Sequence, residues 1–194
     1  MQPIGLLNEE PAAIKLTPAK RHFDAGESSE WYTPAAYIEA ARATMGAIDL
    51  DPASCAFANG TVRAARYFDR ATGGLRQQWA GRVWLNPPYS DYSGQAAEWA
   101  AKLLAEHLAG RVAQGVLLVN LSTSYQPAMQ AIARAGLVCM VNHRIKFASG
   151  QAADRGSPTQ ANVIFYLGDR RREFSEQFGR LGVVLMPAEV RDGA

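Results

Sequence analysis

Cysteine is almost absent: the 194 residues hold two, Cys55 and Cys139, far apart and with no cluster of metal-type ligands beside either. That sets aside a disulfide framework, a zinc site and thiol redox chemistry, and free buried thiols are the expectation for both. No apolar run reaches the roughly 18 residues a membrane helix needs. The opening "MQPIGLLNEEPAAIKL" lacks the basic start and apolar core of a secretory leader, so the protein is expected in the cytoplasm. Charge of one sign is lacking too, with a net charge of only +2. Lysine is scarce beside arginine, whose planar fork suits phosphates and base edges, but the balance is too mild to demand a nucleic-acid partner.

What is present is a chain 48% hydrophobic and long enough to bury one sizeable core. Residues 1–28, mixed and proline-punctuated, read as a poorly ordered N-terminal arm, 29–187 as the folded domain and 188–194 as a tail. Thr33 and Pro34 before "AAYIEAARATMG" read as an N-cap and first helical residue of a helix that stops at Gly46. "AIDL" is a short buried strand, "TVRAARYF" a helical stretch, and "RVWL" a second strand. A helix over "GQAAEWAAKLLAEHLAG" puts Ala96, Trp99, Leu103 and Leu108 on one side. "GVLLVNLS", "YQPAMQAIARAG" and "LVCMV" continue as strand, helix, strand. "RIKF" and "ANVIFYLG" follow as two strands joined without a helix, then a basic helix and a last strand "VVLM". The expected fold class is α/β: a mostly parallel sheet covered on both faces, with an antiparallel end pair.

Three polar constellations fall at predicted strand ends: Asp49 to Ser54, Asn86 to Ser90, and Asn120 to Ser124. In an open parallel sheet that edge is where ligands bind. Asp-Pro is an ordinary turn opener, but "VWLNPPYS" runs an apolar strand straight into an amide, two prolines and a tyrosine. Methyl transfer to a planar amino group needs such a set. The lone pair of that nitrogen is delocalised, so two acceptors must draw off its hydrogens and aim it. The Asn86 side-chain carbonyl and the Pro87 backbone carbonyl are the candidates, with Pro87 and Pro88 holding them rigid and Tyr89 stacking on the flat substrate. For a base in a duplex this means a nucleotide flipped out of the helix. Trp84 and Trp99 lie on apolar faces and read as core.

The stretch "EWYTPAAYIEAARATMGAIDLDPAS…ARYF…GL…W…GRVWLNPPYS", with the later "RIKF…SPTQANVIFYLG", resembles the small phage-type DNA N6-adenine methyltransferases, Dam-like enzymes carrying an NPPY motif. The resemblance runs from Glu30 to about Gly168. It implies a trimmed Rossmann-like class I fold that uses S-adenosylmethionine and no metal, and methylates adenine in DNA in a bacterial host. Asn86, Pro87, Pro88 and Tyr89 match the catalytic motif. Trp31, Tyr32, Thr33 and Pro34 resemble the segment against the cofactor's methionine part, where Thr33 and the helix's free N–H groups meet its carboxylate. Asp51 and Pro52 resemble the start of the cofactor loop, with Ala53 and Ser54 in close approach, and Asp49 or Asp51 pairs with the cofactor's ammonium.

The sequence departs from that pattern in three places. Glycine is missing from the cofactor loop until Gly60. Thr72-Gly73 stands where relatives carry an acid before Gly74-Leu75, with Asp69 a weak substitute. The interval from Asp51 to Arg82, about thirty residues, is too short for two further strand-helix units. No room remains for a separate target-recognition domain, so DNA contacts fall to Ser90 and Tyr92 and to Arg144, Lys146, Arg155, Ser157 and Thr159. Methylation of RNA or of a protein glutamine, and a DNA-binding decoy without catalysis, stay open as alternatives.

Overall fold

The computed structural model describes residues 31–88, 95–149 and 160–188. The expected arm over 1–28, and all but the first residue of the expected tail, lie outside them. Five helices and nine strands follow in chain order: β1 (Trp31–Tyr32), α1 (Ala35–Met45), β2 (Leu50–Asp51), α2 (Ala56–Val62), β3 (Arg66–Tyr67), β4 (Gly81–Leu85), α3 (Gln95–Leu108), β5 (Val112–Asn120), α4 (Pro127–Ala135), β6 (Leu137–Val141), β7 (Ala148–Ser149), β8 (Asn162–Leu167), α5 (Arg171–Phe178) and β9 (Gly182–Leu185). Seven strands form one sheet in the order β3-β2-β4-β5-β8-β6-β9, and β1 pairs with β7 in a separate ribbon. This mixed α/β sheet is consistent with a methyltransferase-like fold.

Period-two alternation sorts the core into two layers. Trp84, Val116, Leu118, Cys139, Ile164 and Tyr166 face α1 and α5, burying Tyr37, Ile38, Met45, Phe174 and Phe178. Val83, Leu85, Leu117, Val119, Val163 and Phe165 face α3 and α4, burying Trp99, Leu103, Met129 and Ile132. Strands covered on both faces must be apolar throughout, which is why they read as unbroken hydrophobic runs. Trp84 and Trp99 are core as expected, and Trp99 stacks on the fully buried Trp79 with ring centroids 5.8 Å apart.

Several expectations are corrected. Only the pairings β2–β3, β2–β4 and β4–β5 are parallel, while β5–β8, β8–β6 and β6–β9 are antiparallel. The sheet is thus parallel on one side alone, and the antiparallel strand β8 is inserted between β5 and β6 instead of forming a hairpin at the end. "RIKF" is no strand: Ile145 is a core residue between β6 and the short β7. "TVRAARYF" is not one helix either. α2 ends at Arg63, whose φ is +49°, and Arg66–Tyr67 leaves as the edge strand β3. One strand and one helix therefore occupy the interval judged too short for two units. Leu108, assigned to the buried side of α3, is exposed at the helix's last turn, and Cys55 is half-buried at the start of α2, where its sulfur accepts from the Ala58 N–H. Cys139 is buried, and burial pushes its thiol up to about 11.

Candidate active site

Strand order reverses between β2 and β4. The chain moves from β2 outward to β3 and returns to lay β4 on β2's other side. The carboxyl ends of β2 and β4 therefore diverge into a crevice, the place where open α/β sheets bind ligands. β2 delivers Asp51 to Ser54 to that crevice, and β4 delivers Asn86 to Pro88. Leu50 opposite Val83 sets the two strands in register.

Asn86 is half-buried, Pro87 buried and Pro88 exposed. The Asn86 Nδ2 donates to the Thr33 hydroxyl at 3.1 Å. This turns the amide's NH2 end toward the segment before α1 and its oxygen away from Thr33. Thr33 is thus not the helix cap expected from sequence: Pro34 takes the cap position, and no side chain among the described residues caps the helix there. Nor does α1 carry an acid in its first turn, so none of its own acids meets the N–H groups at that end.

Asp51 is 3% exposed, and burial pushes its carboxyl up to about 7. The Ala53 N–H donates to its Oδ1 at 3.2 Å and works against that rise, while the buried Ser54 Oγ close by has no hydrogen-bond partner among the described residues. Behind this loop lies Gly74. A β-carbon there would stand 1.9 Å from the Pro52 carbonyl oxygen, so only glycine lets the turn back onto the loop this closely. Gly74→Ala must displace the Pro52 carbonyl, and is expected to cost about 1–3 kcal/mol of stability together with a loss of affinity for the S-adenosylmethionine that the resemblance implies. Melting temperature and titration calorimetry check the two effects. Affinity at the wild-type value would show that the loop is not a binding element.

Asp49 is committed elsewhere. Arg82 donates from Nε to its Oδ2 at 2.8 Å and from its second terminal nitrogen to Oδ1 at 2.7 Å, and the Arg82 backbone N–H adds a third bond at 2.8 Å. These bonds hold the Asp49 carboxyl below its ordinary range. Gly81, with φ +79°, leaves room for this pair, since a β-carbon there would stand 2.6 Å from Asp49 Oδ2. Both side chains are about a third exposed, so Asp49→Ala is expected to cost only about 1 kcal/mol. It should leave cofactor affinity unchanged, which calorimetry would show.

The remaining predicted residues divide by place. Tyr32 is half-buried with its ring 4.6 Å from that of Phe57, and the Cys55 thiol donates to its hydroxyl at 3.9 Å. Trp31 pairs through its backbone with Ser149, and Pro34 is half-buried beside it in sequence. Arg144 and Lys146 are exposed and follow β6, which runs parallel to β4 and so ends on the same edge of the sheet. Tyr89, Ser90, Tyr92, Arg155, Ser157 and Thr159 lie outside the described residues.

Two placements were not legible in the sequence, though it singled out Asp69 as a weak substitute for the missing acid and Asn120 as the start of a polar strand end. Asp69 stands just past the end of β3, beside the Asp51 loop, to which Phe68 is tied by two backbone bonds. The Thr72 N–H and hydroxyl each donate to its Oδ1 at 2.8 Å, and the N–H holds its carboxyl low. The signal was the strand itself, concealed within a stretch of helical composition. The other is the pair Asn120 and Asn162, brought side by side where β5 ends and β8 begins. A shallow groove between α1 and α5, lined by Ala36, Glu39, Ala43 and Arg180, holds none of these groups.

A family model described as DNA N-6-adenine-methyltransferase (Dam) matches residues 21–194. Comparison with curated proteins and with solved structures gives no match.

Proposed function

The chain belongs to the DNA N-6-adenine-methyltransferase (Dam) family, and from that membership we propose that it transfers a methyl group from S-adenosylmethionine to the exocyclic amino group of adenine in DNA, on a trimmed Rossmann-like class I fold. The observation that carries this reading is the Asn86 amide, held by Thr33 at the end of β4, across the strand-order switch from the buried Asp51 at the end of β2.

The crevice suits the cofactor on three counts. A buried carboxyl with a raised pKa is stabilised by a cation, and among the described residues the buried Ser54 hydroxyl lacks a partner and α1 begins with neither a side-chain cap nor an acid. Asp51 would take the cofactor's ammonium, and Thr33 and the first N–H groups of α1 its carboxylate. Tyr32 and Pro34 would flank the methionine part, with Pro52, Ala53 and Ser54 beneath it and Asp69 toward the ribose. When bound, S-adenosylmethionine supplies an electrophilic methyl on a sulfonium.

The chain's own residues prepare the nucleophile. Asn86 Oδ1 and the Pro87 carbonyl each accept one N–H of the amino group, which draws the nitrogen toward tetrahedral geometry and aims its lone pair at the methyl. The acceptors are fixed before the substrate arrives, so little reorganisation is needed at the moment of transfer. No strong general base is required, since the methylated nitrogen is acidic and loses a proton to water. Tyr89 would stack on the flipped base, and Arg144 and Lys146, at the same edge, would meet phosphates.

The test is incubation with labelled S-adenosylmethionine and, separately, duplex DNA, single-stranded DNA, RNA and protein, with nucleoside analysis of the products. Labelled N6-methyladenine from DNA alone is the expected result. Label in RNA or protein would move the substrate class, and no label on any of them with a folded protein would leave a DNA-binding decoy.

A further inference from the structure

Three asparagines mark the same edge of three adjacent strands: Asn86 just past the end of β4, Asn120 at the end of β5 and Asn162 at the start of the antiparallel β8. Alternation places them on one face. Trp84, Leu118 and Ile164, each two residues away along its strand, all pack on the α1 side. Asn120 and Asn162 are directly paired in register, and the Asn162 Nδ2 donates to the Asn120 Oδ1 at 3.1 Å.

The burial of Asn162 is unusual for an amide. It is 2% exposed, yet its Oδ1 has no hydrogen-bond partner among the described residues. A buried amide with an unpaired oxygen is costly, and the rest of β8 is apolar. Its retention is explained if its NH2 group has a task, and that task is visible: by occupying the Asn120 oxygen it fixes the flip of the Asn120 amide. Asn120 is half-buried, and its Nδ2 is then the end left to face outward.

Resting on the methyl-transfer reading given above, we propose that Asn120 is a specificity-determining residue whose Nδ2 donates to a ring nitrogen beside the target amino group, with Asn162 as the positioning residue that sets its amide. Asn86 supplies an acceptor for the amino hydrogen, and the neighbouring strand on the same face supplies a donor. That alternation matches adenine, whose amino group lies between the ring acceptors N1 and N7.

The experiment uses the full chain and a DNA duplex carrying its methylated word, with adenine, 1-deazaadenine or 7-deazaadenine at the target position. Wild type, Asn120→Ala and Asn162→Ala are compared on each substrate, so that the altered reactivity of the analogues cancels in the ratio. Asn120→Ala is expected to lower kcat/KM about 10-fold on adenine and equally on the analogue that retains the nitrogen being read. On the other analogue the variant should be no worse than wild type, and Asn162→Ala should reproduce the pattern. Cofactor binding by calorimetry reports folding, and Asn120→Ser replaces the alanine variant if that fails. An equal loss on all three substrates, or no loss on adenine, overturns the proposal, because a merely structural role cannot depend on which ring nitrogen is present. If wild type methylates no adenine in any DNA, the methyl-transfer reading itself fails and takes this one with it, a result seen before any variant is made.

Discussion

Asn86→Ala is expected to abolish methyl transfer while leaving cofactor binding close to wild type. The substitution removes the side-chain acceptor for the amino hydrogen, and in a preorganised site the loss of one such group costs about 3 kcal/mol, or 10²–10³ in rate. Cofactor affinity should survive because the groups proposed to hold it lie at the end of β2 and the start of α1, and the Asn86 amide meets that set through its bond to the Thr33 hydroxyl. Asn86→Asp keeps an acceptor oxygen and the side-chain shape, so it should retain measurable activity. Thr33→Val should fall between the two, since the amide keeps its oxygen but loses the bond that fixes its flip. Single-turnover rates with saturating cofactor, set beside calorimetric affinities, separate these effects. A wild-type rate for Asn86→Ala would remove the residue from the mechanism.

The legible parts of this molecule were those with a strong local signal. α1, β4, β6 and β8 announced themselves through helical spacing or unbroken apolar runs, and "NPPY" stood out because prolines and an amide have no reason to follow a core strand. What was not legible depends on tertiary partners. Thr33 before Pro34 has the local chemistry of a helix cap, yet its hydroxyl is drawn to an amide far along the chain. Arg66–Tyr67 carries too little pattern in two residues to be seen as a strand, and becomes one only because β2 lies beside it. β8 reads as the partner of whatever precedes it, and only the sheet shows that it enters between β5 and β6. Asp49 and Asp51 look equivalent in "IDLD". They flank Leu50 at the start of β2, but one meets Arg82 and the other the interior. That difference is why the proposed ammonium contact falls to Asp51 and not to Asp49.

The Asp51 carboxyl provides a test that needs no DNA. Its folded-state pKa is raised from 3.8 to about 7 by burial, so between those values the folded protein holds a proton that the unfolded chain has released. Stability from this group must therefore fall as pH rises through that window, by up to about 4 kcal/mol in all, and level off above it. Asp51→Asn, which imitates the protonated acid, should flatten that part of the profile and be the more stable protein at pH 8. Binding should run the other way. A cofactor ammonium beside Asp51 favours the carboxylate, so at pH 6 binding must expel the proton, and affinity should rise with pH up to about 7. Calorimetry at pH 6 in buffers of different ionisation enthalpy is expected to count about one proton released by wild type and none by Asp51→Asn, which should also bind more weakly. The same proton count for both would mean that the cofactor's ammonium rests on some other group, and that the buried acid at the end of β2 serves the fold alone.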